Sequence, residues 1–222
     1  MDTRLEGLWD SVSYVLFDMD GTLLDKHFDD YFWEHVVPER YAEKYGLSFH
    51  DAQEILLKRY RVEEGTLNWT DLDFWSYELN LDIPCIKEEV KEKIQVYPDV
   101  EPFLDALQKR GKIVFLVTNA HYKTLKIKLR KTRIESYFHK VLSAFDVGFP
   151  KESVEFWKQS ENILGFDKEA SLLVDDNIDV LSAAHEYGIR YLFLKINEDC
   201  PQKIYSSDFV LLRNFIDLNH LL

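Results

Sequence analysis

The stretch Tyr14–Asp25, YVLFDMDGTLLD, decides how the rest of the chain is read. Tyr14 to Phe17 form a short, wholly apolar run, the pattern of a parallel strand buried on both faces. The run stops at two carboxylates, Asp18 and Asp20, followed by Gly21 and Thr22. Along extended backbone, residues i and i+2 point the same way, so Asp18 and Asp20 face one space and Met19 the other. Two acids so close repel and raise each other's pKa unless a cation sits between them. Hard oxygen ligands with a position left open for phosphate suit Mg²⁺. Asp-Gly is also a common tight-turn dipeptide, so the stretch by itself reads either as a site or as a turn.

Downstream the rhythm divides in two. From Asp25 to about Gln95 only helical periodicity is seen: Phe28, Phe32 and Val36 recur at i+4. Pro38 is expected to open a second helix that Gly46 closes. Ser48 with Asp51 resembles a capping box, Thr70 is expected to cap a further helix, and Pro84 to start the last. From Tyr97 helices alternate with strands: Lys112–Val117, Val141–Ala144, Ser171–Val174 and Arg190–Leu194. Such alternation predicts right-handed βαβ units and a Rossmann-like parallel sheet. The α/β core is therefore expected over residues 1–24 and 96–222, with a helical insertion over 25–95.

Composition bounds the function. At 222 residues, 46% hydrophobic and 30% charged, the chain is a soluble globular protein without a membrane-spanning run. A net charge of −13 argues against nucleic acid as partner. A small phosphorylated substrate needs only local positive groups. Cys85 and Cys200 have no metal or redox spacing, and the N-terminus lacks a secretory pattern, so a cytoplasmic location is expected.

Four strand ends read together carry the chemistry. The first offers Asp18 and Asp20; the second Thr118 and Asn119, a hydroxyl and an amide where a helix begins. The third loop offers Lys151 behind Pro150, and the fourth Asp175 and Asp176. These segments, DMDGT, LVTNA, GFPKE and LLVDD, resemble the four motifs of the haloacid dehalogenase-like (HAD) superfamily, and the likeness spans essentially the whole chain. The insertion after the first motif is similar to that family's helical cap. FDDYFW (Phe28–Trp33), TLNWTDLDFWS (Thr66–Ser76) and TNAH (Thr118–His121) are similar to its bacterial GMP/IMP 5′-nucleotidase branch.

The resemblance implies a Mg²⁺-dependent phosphatase. Asp18 would attack phosphorus to form an aspartyl-phosphate, and Asp20 would act as general acid and then base. Thr118, Asn119 and Lys151 would bind the phosphoryl oxygens. Asp18, the Asp20 carbonyl and Asp176 would hold the metal, with Asp175 an outer ligand or the partner of Lys151. Dehalogenases of the family lack the second aspartate, so Asp20 favours phosphoryl transfer. Asp179 is assigned to a helix's first turn, where a carboxylate meets a favourable dipole. His121 reads either as an exposed helix-start residue or as a substrate contact, and Lys58–Arg61 as a solvated helix end. Asn68 and Trp69 are the preferred base-reading pair. The best-guess substrate is a purine nucleoside 5′-monophosphate, GMP or IMP. Other small phosphomonoesters such as sugar phosphates, a phosphomutase, and a non-catalytic binding module are the alternatives.

Overall fold

The computed structural model describes residues 7–196 and 209–219. Cys200 lies outside them, and Cys85 is an exposed free thiol. Six strands, β1 (Tyr14–Phe17), β2 (Ile113–Thr118), β3 (Lys140–Ser143), β4 (Ser171–Asp175), β5 (Tyr191–Lys195) and β6 (Val210–Leu212), form one sheet. Their order is β3-β2-β1-β4-β5-β6 and every pairing is parallel. The apolar runs predict β1 to β5 to within one or two residues; β6 is not among the strands read from the sequence.

Strand alternation divides the core into two layers. Val15 and Phe17 of β1 point into one cluster with helices α1 (Leu8–Ser11), α7 (Val100–Lys109), α8 (Tyr122–Thr132) and α12 (Phe215–Asn219). Leu16 points into the other, against α9 (Ala144–Val147), α10 (Val154–Leu164) and α11 (Ile178–Tyr187). No helix among the described residues is long and apolar enough to cross a membrane.

Between β1 and β2 the chain makes a helical insertion containing α2 (His27–Tyr31), α3 (Val37–Tyr45), α4 (Phe49–Glu63), α5 (Leu72–Leu79) and α6 (Ile83–Glu89). It has its own apolar cluster, built on Phe32, Val37, Leu56, Leu72, Trp75, Leu79 and Ile83. Its two connections to the sheet run side by side. Asp25 N donates to Gln95 O at 3.0 Å, and Tyr97 N to Leu23 O at 3.1 Å.

Two expected helix starts are corrected. Pro38 opens no new helix: the rod continues from α2 into α3 through a five-residue π turn, Phe32–Val36. Proline has no N–H for the carbonyl four residues back and its ring crowds that oxygen; widening the preceding turn accommodates both. The carbonyl concerned, on Glu34, accepts instead from Gln53 Nε2 at 2.9 Å. Thr70 is not a cap either. Asp71 takes that position, accepting from Asp73 N at 2.8 Å and Phe74 N at 3.2 Å. Thr70 donates across to the Asn119 carbonyl at 2.6 Å, joining the insertion to the end of β2. By contrast Ser48 caps α4 as expected, accepting from Asp51 N at 3.1 Å.

The turn after β1 is closed by Leu23 N and Leu24 N on the Met19 carbonyl, at 2.9 and 2.8 Å, and by Gly21 N on Leu24 O at 2.8 Å. Gly21 sits at φ +87°, and a Cβ there would lie 2.2 Å from Asp176 Oδ2. Gly21→Ala is therefore expected to lose about 1–3 kcal/mol of stability from the left-handed backbone alone. It should also displace the Asp176 carboxylate, so turnover should fall further than stability accounts for. Urea unfolding and kcat/KM measured on one preparation check both effects.

Candidate active site

β1 and β4 are neighbours, and the chain leaves them toward opposite sides of the sheet: to β2 from the first, to β5 from the second. The crevice at the carboxyl ends of two such strands is where open α/β sheets bind ligands. Asp18 directly follows β1 and its N–H is tied to Val174 O at 3.0 Å; Asp175 ends β4. Lys151 reaches in from the loop before α10, donating to Asp18 Oδ1 at 2.5 Å and Asp175 Oδ2 at 2.7 Å. Its main chain is fixed on both sides. Lys151 N donates to Asn119 Oδ1 at 2.9 Å, and the buried Trp157 indole donates to Lys151 O at 2.9 Å. Asp175 Oδ1 accepts from Asn177 N at 3.0 Å, and Asn177 caps α11 with Asp179 in its first turn, as read from sequence.

The site is overloaded with negative charge. Asp18, Asp175 and Asp176 bring carboxylate oxygens within 4.8 Å of one another. Burial raises Asp176 to about 6, and the Asp18 charge adds to it. Asp20 is likewise lifted to about 6 by burial, against the pull of Lys128. Burial also holds Asp175 above the ordinary carboxylate range. For Lys151 burial works toward the neutral amine, but Asp175 and Asp18 outweigh it and hold the ammonium above its usual range. Against the four acids stand Lys151, Lys128 on Asp20 and a largely exposed Lys26 3.8 Å from Asp176 Oδ2, one positive charge too few, and Asp18 Oδ2 is buried without a hydrogen-bond partner. A hard divalent cation fits such donors.

The site opens into a cleft of about 510 Å³ between the sheet edge and the insertion. Asp18, Asp20, Thr118, Asn119, Lys151, Asp175 and Asp176 all line it. The buried Thr118 Oγ1 accepts from Ala120 N at 3.0 Å. The Asn119 side-chain amide is already engaged, donating to Glu152 Oε2 at 2.9 Å. The opposite wall is aromatic: Trp33, Tyr60, Trp69 and Trp75, with Tyr60 edge-on to the other three at centroid separations of 5.0–6.2 Å.

Trp69 and its neighbour separate here, because Asn68 does not border the cleft and its Nδ2 donates to Glu63 Oε2 at 3.0 Å. His121 is buried rather than exposed, and it too lies off the cleft wall. Its Nε2 is 3.5 Å from Asp71 and 3.9 Å from Asp73 of the insertion, and burial lowers its pKa. Within Lys58–Arg61, the first two residues are exposed, whereas Tyr60 and Arg61 border the cleft.

Sequence reading missed the buried pair of lysines. Lys128 sits inside the basic run Lys123–Lys131 of α8, yet it is 1% exposed. Its ammonium is 2.6 Å from Asp20 Oδ1 and also contacts Asp29 Oδ2. Lys87, 2% exposed, donates to Asp29 Oδ1 at 2.7 Å and stands 4.7 Å from the Phe32 ring centroid. The available signal was helical spacing: Lys128 is i+4 from the buried Thr124, on the face next to Ile127.

Comparison with known proteins agrees with this layout. The haloacid dehalogenase-like hydrolase family matches residues 12–188. The GMP/IMP nucleotidase YrfG of Escherichia coli K12 is 40% identical over 191 residues, 86% of each chain. The pyrophosphatase PpaX of Bacillus velezensis is 27% identical over 184 residues, 81% of each chain. The crystal structure of a HAD phosphatase from Thermococcus onnurineus superposes with a TM-score of 0.82 at 24% identity, covering 95% of this chain and 97% of the other, and shares the fold. With four acids, a lysine and a threonine gathered where the strand order of its parallel sheet reverses, this chain belongs to the haloacid dehalogenase-like hydrolases.

Proposed function

We propose that the protein is a Mg²⁺-dependent phosphomonoesterase that works through a phosphorylated Asp18, with a purine nucleoside 5′-monophosphate, GMP or IMP, as substrate. The observation that carries the reading is the meeting of Asp18, Lys151, Asp175 and Asp176 at the mouth of an aromatic-walled cleft. Asp18 Oδ1 is engaged by Lys151, so the unpartnered Oδ2 serves as the nucleophile or as the metal's ligand. Lys151 and Thr118 take the phosphoryl oxygens, where the transition state carries its charge.

Asp20 gives its proton to the leaving ester oxygen, then takes one from the water that hydrolyses the aspartyl-phosphate. Burial equips it for the first task, since it raises the carboxyl to about 6. Asp18, the Asp20 carbonyl and Asp176 would hold Mg²⁺, with Asp175 retained by Lys151. The ion would supply charge neutralisation between carboxylate and phosphate.

We also propose residues 25–95 as a cap over a core of 1–24 and 96–222, with Trp69 and its aromatic neighbours receiving the base. The aromatic faces of that wall suit a nucleobase, which presents a flat π surface to stack on. The intact acid set favours catalysis over a non-catalytic module. We retain the cytoplasm as the expected location.

Asp18→Asn should abolish turnover and leave the fold intact, read as loss of phosphate release with an unchanged thermal melt; appreciable activity would refute the covalent route. Removal of divalent metal with a chelator should stop hydrolysis of 4-nitrophenyl phosphate, and added Mg²⁺ should restore it. Trp69→Ala should raise KM for GMP about tenfold, the loss of one stacking contact of 1–3 kcal/mol, with little change for 4-nitrophenyl phosphate. Equal effects on the two substrates would mean that the aromatic wall does not receive the base.

A further inference from the structure

We propose that Lys128 is a positioning residue for the proton donor: its ammonium, clasped by Asp29 of the helical insertion, holds Asp20 Oδ1 and leaves Oδ2 to meet the leaving group. This rests on the reading of Asp20 as general acid and goes beyond the motif residues.

A lysine is almost never fully buried unless paired, and removing its ammonium from water is expensive. One carboxylate would suffice to pair it. Lys128 has two, Asp20 at 2.6 Å and Asp29, and the Phe28 ring covers it at 5.5 Å from the centroid. The Asp20 carboxylate is not one of the three that converge on the metal-ligating cluster. Oδ1 is sealed from solvent and held by charge 2.6 Å from the Lys128 ammonium, without an aligned hydrogen bond, while the Asp20 side chain as a whole stays 24% exposed. With Oδ1 covered, Oδ2 is the oxygen that remains for a group bound in the cleft that Asp20 lines.

The clasp also spans two parts of the chain. Lys128 belongs to α8, against the sheet, whereas Asp29 belongs to α2 and Lys87, which holds Asp29 Oδ1 at 2.7 Å, to α6. The second carboxylate therefore reaches the ammonium from the insertion, and the clasp is complete with the insertion seated on the core. In the step itself the proton leaves Asp20 Oδ2 for the ester oxygen as the P–O bond breaks, and the carboxylate that remains is the one Lys128 holds. Misplacement of a reacting group by about 1 Å lowers rates about 100-fold.

The test compares phenyl phosphate, whose leaving group needs the proton, with 4-nitrophenyl phosphate, whose leaving group departs without it. The quantity read is kcat/KM, which reports the steps up to phosphorylation of Asp18. In Lys128→Met the value for phenyl phosphate should fall about 100-fold and that for 4-nitrophenyl phosphate less than tenfold, and Asp20→Asn should show the same divergence. Lys128→Arg should recover part of the loss on phenyl phosphate.

Where Lys128→Met does not fold, the double variant Asp29→Asn/Lys128→Met, which removes one charge of each sign, is read the same way. Divergence in Asp20→Asn with a uniform loss in the Lys128 variants overturns the proposal and leaves the acid assignment standing. Uniform losses in all of them overturn both.

Discussion

The ammonium of Lys151 between Asp18 and Asp175 is the contact on which the rest of the site depends. It joins the ends of two adjacent strands to a loop that would otherwise lie over them, and all three groups are buried. Removing the lysine from such a set would leave buried carboxylates uncompensated in a low-dielectric interior, typically a loss of about 3–5 kcal/mol, whereas removing the Asp18 charge leaves the ammonium paired with Asp175. The protein fixes the lysine's backbone twice, through Asn119 and through Trp157, so its head is aimed rather than merely attracted. Asn119 and Glu152 thus act on the loop that presents the lysine.

Around that contact the structure keeps acids in excess of bases. Asp20 and Asp176 are each raised to about 6, and burial is the first cause in both. A carboxyl tuned in this way holds a proton more readily than an exposed one, which is what a donor requires near neutrality. The surplus negative charge also makes the site a good host for a divalent cation and a poor one for a phosphate dianion alone. Under the proposed function the two requirements reinforce each other, because cation and phosphate would bind as a nearly balanced pair.

Much of this was legible in the chain. Strands buried on both faces are uninterrupted apolar runs, so β1, β2 and β4 announced themselves, and with them the positions of Asp18, Thr118 and Asp175. Gly46 and the cap Ser48 marked helix ends because their chemistry is local. What escaped depends on contacts distant in sequence. Lys128 reads as one more cation in a basic run, and only the approach of Asp20 and Asp29 makes it an interior residue. His121 read as an exposed helix start or as a substrate contact, because the residues that face it, Asp71 and Asp73, lie some fifty positions earlier. The π turn before Pro38 is relieved by Gln53, a side chain from another helix, which no periodicity could announce. Asn68 and Trp69 stand next to each other in sequence but in a short 3₁₀ turn, so only one of them borders the cleft.

The paired backbone where the insertion leaves and rejoins the sheet has a geometric consequence. Two strands of chain bonded to each other at Asp25–Gln95 and Leu23–Tyr97 form a ribbon, and a ribbon bends across its flat face far more easily than it shears or twists. Any swing of the helices relative to the sheet would hinge there, and would carry Trp69 and Asp29, both in the insertion, together relative to Asp18. Entry and exit at neighbouring points also make the helical unit a detachable module. A different set of helices grafted between the same two ends would inherit the chemistry below and bring a different choice of what to admit.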